Sequence, residues 1–96
     1  MMFVGAYHFD GHADELLPAF HRLLDGFPPG AVQLLLCVGT ASGLTVFDTC
    51  PSRAEFEAFS GGDTLRAALA AAGLPRPRVE PIGDLHHAVV AEKASR

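Results

Sequence analysis

The sequence predicts one α+β domain of βαββαβ order, a four-stranded antiparallel sheet with two helices on one face. Three observations carry this prediction. Strand-like and helix-like stretches alternate in that order along the chain. Two of the strand-like stretches are joined by a loop of hairpin length. The whole chain is only 96 residues long, which is one domain.

The elements follow from local chemistry. Phe3 to Phe9 is rich in aromatic and β-branched residues and ends at Asp10-Gly11, as a first strand does. From His12 to Asp25, Leu16, Leu17, Phe20, Leu23 and Leu24 recur at helical spacing, and Asp14 and Glu15 suit the positive end of the helix dipole. Gly26 and Pro28-Pro29-Gly30 stop this helix. Ala31 to Val38 is continuously apolar, the pattern of a strand covered on both faces. Gly39 to Gly43 reads as a loop and Leu44 to Cys50 as the returning strand. A turn centred near Ala41 pairs Cys37 with about Val46, which leaves Cys37 and Cys50 about four residues out of register. That offset is on the order of 13 Å, beyond the reach of a disulfide.

Ser52 and Glu55 form a capping box ahead of Phe56 and Phe59. Gly61-Gly62 interrupts that helix, and Asp63 is placed to cap a second segment in which Leu65, Ala68, Leu69 and Ala72 share a face. Gly73-Leu74-Pro75 ends it. Val79 to Val90 is the last strand, broken near Pro81 and Gly83. The domain therefore spans 1–91, with a polar tail over 92–96. Right-handed crossovers give the ferredoxin-like strand order 4-1-3-2.

Composition narrows the function classes. The chain is 49% hydrophobic and only 19% charged, apolar for so small a domain, and its second strand needs cover on the face the helices do not reach. A second copy related by a two-fold axis supplies that cover, so a homodimer is expected. Net charge is −4 and the basic residues are scattered, so nothing supports nucleic-acid binding. No apolar run reaches the roughly 20 residues that span a bilayer. The start lacks a basic secretory leader, and two cysteines without a Cys-x-x-Cys pair exclude a zinc ribbon. A cytoplasmic protein is expected, with no membrane contact.

Val46 to Phe59, reading Val-Phe-Asp-Thr-Cys-Pro-Ser-Arg-Ala-Glu-Phe-Glu-Ala-Phe, resembles a segment of the dimeric α/β-barrel superfamily, which includes the antibiotic-biosynthesis-monooxygenase-like proteins. A strand ending in Asp-x-x-x-Ser precedes a helix with two Phe three apart, and Leu65 to Pro75 resembles the helix that follows. The resemblance implies dimerisation of two sheets into an α/β barrel. It also implies a family of cofactor-free oxygenases, isomerases and other enzymes alongside small proteins of unknown role.

Three residues are candidate catalysts. His8 lies on a central strand, where a buried imidazole needs a partner and can serve as a base near neutral pH. The alternative is a core His bonded to backbone or Tyr. Asp48 is a carboxylate inside a strand, which is unusual, and calls for a cationic partner unless it faces outward. His86, with His87 pointing to the opposite face, lies in the last strand. Register counting sets Asp48 and His86 on either side of Gly5, whose missing side chain leaves room for a ligand or a carboxylate–imidazole contact. An ion pair there would depress the Asp48 carboxyl. Tyr7, Phe20, Phe56, Phe59 and Leu65, with Gly5, are expected to line a cavity between helices and sheet. His8-x-x-x-His12 has helical metal spacing, but Asp10-Gly11 breaks any helix there, so no metal or cofactor is expected.

Two functions fit. The first is an enzyme performing proton abstraction on a hydrophobic small molecule, aromatic or polyketide-like: a cofactor-free monooxygenase, cyclase or isomerase, with His8, Asp48 and His86 sharing one pocket, His8 or His86 as general base and Asp48 orienting it. The second is a non-catalytic dimer that binds a hydrophobic ligand or a protein partner. The absence of any Trp or Asn, which several related oxygenases use, favours the second.

Overall fold

The computed structural model describes residues 2–27 and 34–90. Its elements are β1 (Phe3–Asp10), α1 (Ala13–Asp25), β2 (Leu35–Thr40), β3 (Gly43–Cys50), α2 (Arg53–Ser60), α3 (Asp63–Ala72) and β4 (Arg78–Asp84). The four strands form one antiparallel sheet in the order β2-β3-β1-β4, the order expected from the sequence. The start of the second strand, Ala31 to Gln33, the Pro28-Pro29-Gly30 stop and the tail over 92–96 lie outside the described residues.

Alternation along the strands decides what is buried. Phe3, Tyr7 and Phe9 of β1 and Leu44 and Val46 of β3 share one core with Leu16 and Phe20 of α1, Phe56 of α2, and Leu65 and Leu69 of α3. All three helices thus supply that core, on one face of the sheet. The opposite face carries Leu36 at 54% and Val38 at 44% exposure, so β2 is covered on one side only.

Local signals act as the sequence predicts, with small shifts. The Ser52 hydroxyl accepts from the Glu55 amide at 3.2 Å and starts α2. Gly73 ends α3 at φ 87, a left-handed conformation that favours glycine. The cap of α3 is Gly62, not Asp63. Asp63 is the first helical residue, and its Oδ1 accepts from Arg66 Nη1 at 2.7 Å instead of capping the backbone. The hairpin is tighter than expected, because β2 and β3 run on to pair Thr40 with Gly43. Cys37 does lie opposite Val46, and both cysteines are free thiols.

The last strand is shorter than expected. β4 pairs with β1 until Asp84 meets Phe3, with a register shift opposite Val4 and Gly5. One further bond, from the Leu85 amide to the Met2 carbonyl at 2.7 Å, closes the ladder. Beyond that point the described residues show no further pairing with β1, and 86–90 belong to no element. The doubly wetted end explains the correction: Val89 and Val90 are 82% and 72% exposed despite their strand-like chemistry.

Candidate functional site

Between the helices and the sheet lies a cavity of about 50 Å³. Its walls are Phe9 of β1, Phe20 and Leu24 of α1, Val46 of β3, Phe59 of α2 and Leu65 of α3, among other apolar side chains. Among the described residues only Asp48 and Tyr7 bring polar side-chain groups to it. Pairing explains why they meet. Gly5 lies opposite Asp48 and Tyr7 opposite Val46, so Tyr7 and Asp48 are diagonal neighbours on the helix-covered face.

Both polar groups are orphans. Asp48 is 8% exposed and Tyr7 5%, and among the described residues neither Asp48 Oδ1 nor the Tyr7 hydroxyl has a hydrogen-bond partner. Burial without a cation pushes the Asp48 carboxyl up to about 6. Burial also raises the Tyr7 phenol well above its ordinary range, and the Asp48 and Cys50 charges add to the effect. At neutral pH the cavity therefore holds a carboxylate able to take a proton and a phenol that keeps its own. That arrangement can accept a proton from a bound molecule and donate a hydrogen bond to it.

His8 is not part of this cavity. Its ring lies on the other face of the sheet, where Nδ1 contacts Thr45 Oγ1 at 3.0 Å and Nε2 contacts Glu80 Oε1 at 2.8 Å. Alternation along β1 separates it from Tyr7 and Phe9, so the expected pairing of His8 with Asp48 does not form. The imidazole instead bridges neighbouring strands, with the Glu80 carboxylate largely exposed.

His86 is also elsewhere. It follows the end of β4 and is exposed, as is His87. The residue across from Gly5 on β4 is Pro81, five positions before His86. The space above Gly5 is filled as well: a Cβ there would sit 2.0 Å from Phe56 Cε1. The glycine admits the Phe56 ring, which packs 5.4 Å from Phe3 and 6.0 Å from Tyr7 between centroids. Phe56 is therefore a packing residue at the cavity's side, whereas Tyr7, Phe20, Phe59 and Leu65 line the cavity itself. Among the described residues, no three His, Cys, Asp or Glu side chains come together as a metal site would need.

The partnership of Tyr7 with Asp48 was hidden in the sequence. Its only trace is the diagonal register, which depends on the β1–β3 pairing between segments about forty residues apart. Phe27 also lines the cavity, its ring centroid 6.5 Å from that of Phe59; it falls just past the end of the helix pattern and carries no sequence signature. Comparison with known proteins returns no match to this chain among family models, curated proteins or solved structures.

Proposed function

We propose that this chain is a small protein of the dimeric α/β-barrel type whose helix–sheet cavity performs proton transfer on a hydrophobic small molecule, as in isomerisation or cyclisation, with Asp48 as the base. One observation carries the reading: a nearly buried carboxylate without a partner faces an otherwise apolar cavity. Such a group costs stability, so its persistence is better explained by chemistry than by folding. Its titration near 6 suits a general base at neutral pH. Cofactor-free oxygenation would begin with the same proton removal.

The proposed dimer is supported by the open sheet face. Leu36 and Val38 are exposed there, with Val4, Leu34, Phe47 and Leu85 around a depression of about 140 Å³. A second copy would cover this face and close the two sheets into a barrel. The small size of the inner cavity favours a second reading, a dimer that holds a ligand without turning it over.

The two readings part in heavy water. With cyclohex-2-enone as probe, exchange of the protons next to the carbonyl is followed by NMR at pH 7.5. Catalysis predicts exchange above the buffer rate, rising with pH through about 6 as Asp48 ionises, and lost by about 100-fold or more in Asp48→Asn. Equal exchange in wild type and Asp48→Asn would overturn the role of Asp48.

A further inference from the structure

We propose that Tyr7 is the hydrogen-bond donor of the Asp48 cavity, and that the molecule this pair fits is an uncharged, enolisable carbonyl compound of about one ring, for which a neutral phenol is the binding analogue. The inference rests on the reading of Asp48 as a proton-transfer base and adds the ligand's charge, size and hydrogen-bonding pattern.

Charge comes first. Among the described residues no Lys, Arg or His lines the cavity, and its one carboxylic acid is Asp48. An anionic ligand would bring a second negative charge into a space where water screens little, with no cation to offset the repulsion. Carboxylates and phosphates are therefore excluded, and a neutral molecule is selected.

The hydrogen-bonding pattern is equally restricted. The Asp48 carboxylate accepts and the Tyr7 hydroxyl donates, each with no protein partner among the described residues. A carbonyl oxygen receives the Tyr7 O–H while a neighbouring C–H faces Asp48. In the proton transfer, the Asp48 carboxylate takes that hydrogen as a proton. The electrons of the broken C–H bond form the new C=C, and the carbonyl π pair moves onto oxygen, where the Tyr7 O–H stabilises the developing charge without surrendering its proton. Asp48 then returns its proton to another carbon of the conjugated system, and no co-reactant is consumed. Tyr7 stays protonated throughout because burial and the adjacent carboxylate both disfavour its ionised form.

Size sets the last limit. About 50 Å³ is room for a few water molecules, so even one ring must displace lining side chains, and the half-buried ones such as Phe27 and Phe59 are the freest to move. A fused multi-ring skeleton would also have to displace core residues Phe20 and Leu65, which are 3% and 6% exposed.

The test is calorimetric titration of wild type, Tyr7→Phe and Asp48→Asn with phenol, toluene and benzoate at pH 7.5. Phenol is then uncharged, because a phenolic hydroxyl titrates near about 10. Wild type should bind phenol at least tenfold more tightly than toluene, as expected for a hydrogen bond to a charged partner, and should show no benzoate binding. Phenol affinity should rise as pH rises through about 6. Tyr7→Phe should lose about threefold or more of the preference for phenol, the share supplied by the Tyr7 O–H, while keeping the share owed to Asp48 and binding toluene unchanged, which shows that the cavity survives. Because Tyr7 is the chain's single tyrosine, shifts of its ring resonances in wild type locate the ligand directly. Equal affinity for phenol and toluene in wild type, an unchanged preference in Tyr7→Phe, or tighter binding of benzoate would overturn the inference. Proton exchange lost in Asp48→Asn would still uphold the base. Loss of phenol preference in Tyr7→Phe without any Asp48-dependent exchange would instead uphold the ligand class and overturn the catalytic reading.

Discussion

Replacing Asp48 with Asn should stabilise the protein at neutral pH, and the gain should vanish in acid. Burial raises the folded-state carboxyl from 3.8 to about 6. The native chain therefore binds a proton more tightly than the unfolded chain does. The Asp48 contribution to stability is greatest below pH 4, declines as pH rises through about 6, and is level above that. At about 1.4 kcal/mol per pKa unit, the ionised carboxylate costs about 3 kcal/mol above pH 7. Asn has nearly the same shape and does not titrate. The comparison is urea unfolding of both proteins at pH 4, 5, 6, 7 and 8, at one fixed protein concentration so that any association cancels. With a slope of about 1–3 kcal/mol per molar urea, the Asn midpoint should move ahead of wild type by about 1–3 M between pH 4 and pH 8. A midpoint difference that does not change with pH would refute the reasoning. So would a destabilised Asn protein at pH 8, which would mean that the carboxylate has a cationic partner.

Three other outcomes follow. Gly5→Ala places a Cβ inside the Phe56 ring and should cost about 1–3 kcal/mol in urea unfolding, partly recovered by adding Phe56→Leu. Leu36→Asp sits on an exposed face, so chain stability should change by no more than about 0.5 kcal/mol, while light scattering should move from the proposed dimer's mass to a single chain's. A wild type that already scatters as one chain at micromolar concentration would refute the dimer. Thiol titration of the unfolded, unreduced protein should find both Cys37 and Cys50 free, two thiols per chain; none would contradict the β2–β3 register.

Much of the scaffold was legible because its signals are local. The capping serine at 52, the glycine stop at 73 and the helical spacing of Leu16 and Phe20 each need only a few neighbouring residues to be read. The β2–β3 register was legible for the same reason, since one short turn sets it. The site was less so. Asp48 stood out as a carboxylate within a strand, but the partner assigned to it was wrong in kind. His8 is one residue from Tyr7 and, by alternation, on the opposite face. His86 carries strand-like neighbours, yet β1 runs out before the chain reaches it. Gly5 was visible as a gap, but Phe56, which fills it, comes from a helix about fifty residues away. These facts belong to pairing between distant segments, which no single window of sequence contains.

The proposed chemistry depends on one carboxyl group, and its titration can be observed directly. Carbon-13 labelling of aspartate, with Asp48→Asn to assign the signal, gives the pKa of the Asp48 carboxyl carbon in the native protein. A midpoint near 6 is expected, set by burial and unaffected by His8→Gln because that ring lies across the sheet. A midpoint at or below the ordinary aspartate value of about 3.9 would contradict it, as that carboxylate would be solvated or paired and unfit to be the base of this cavity.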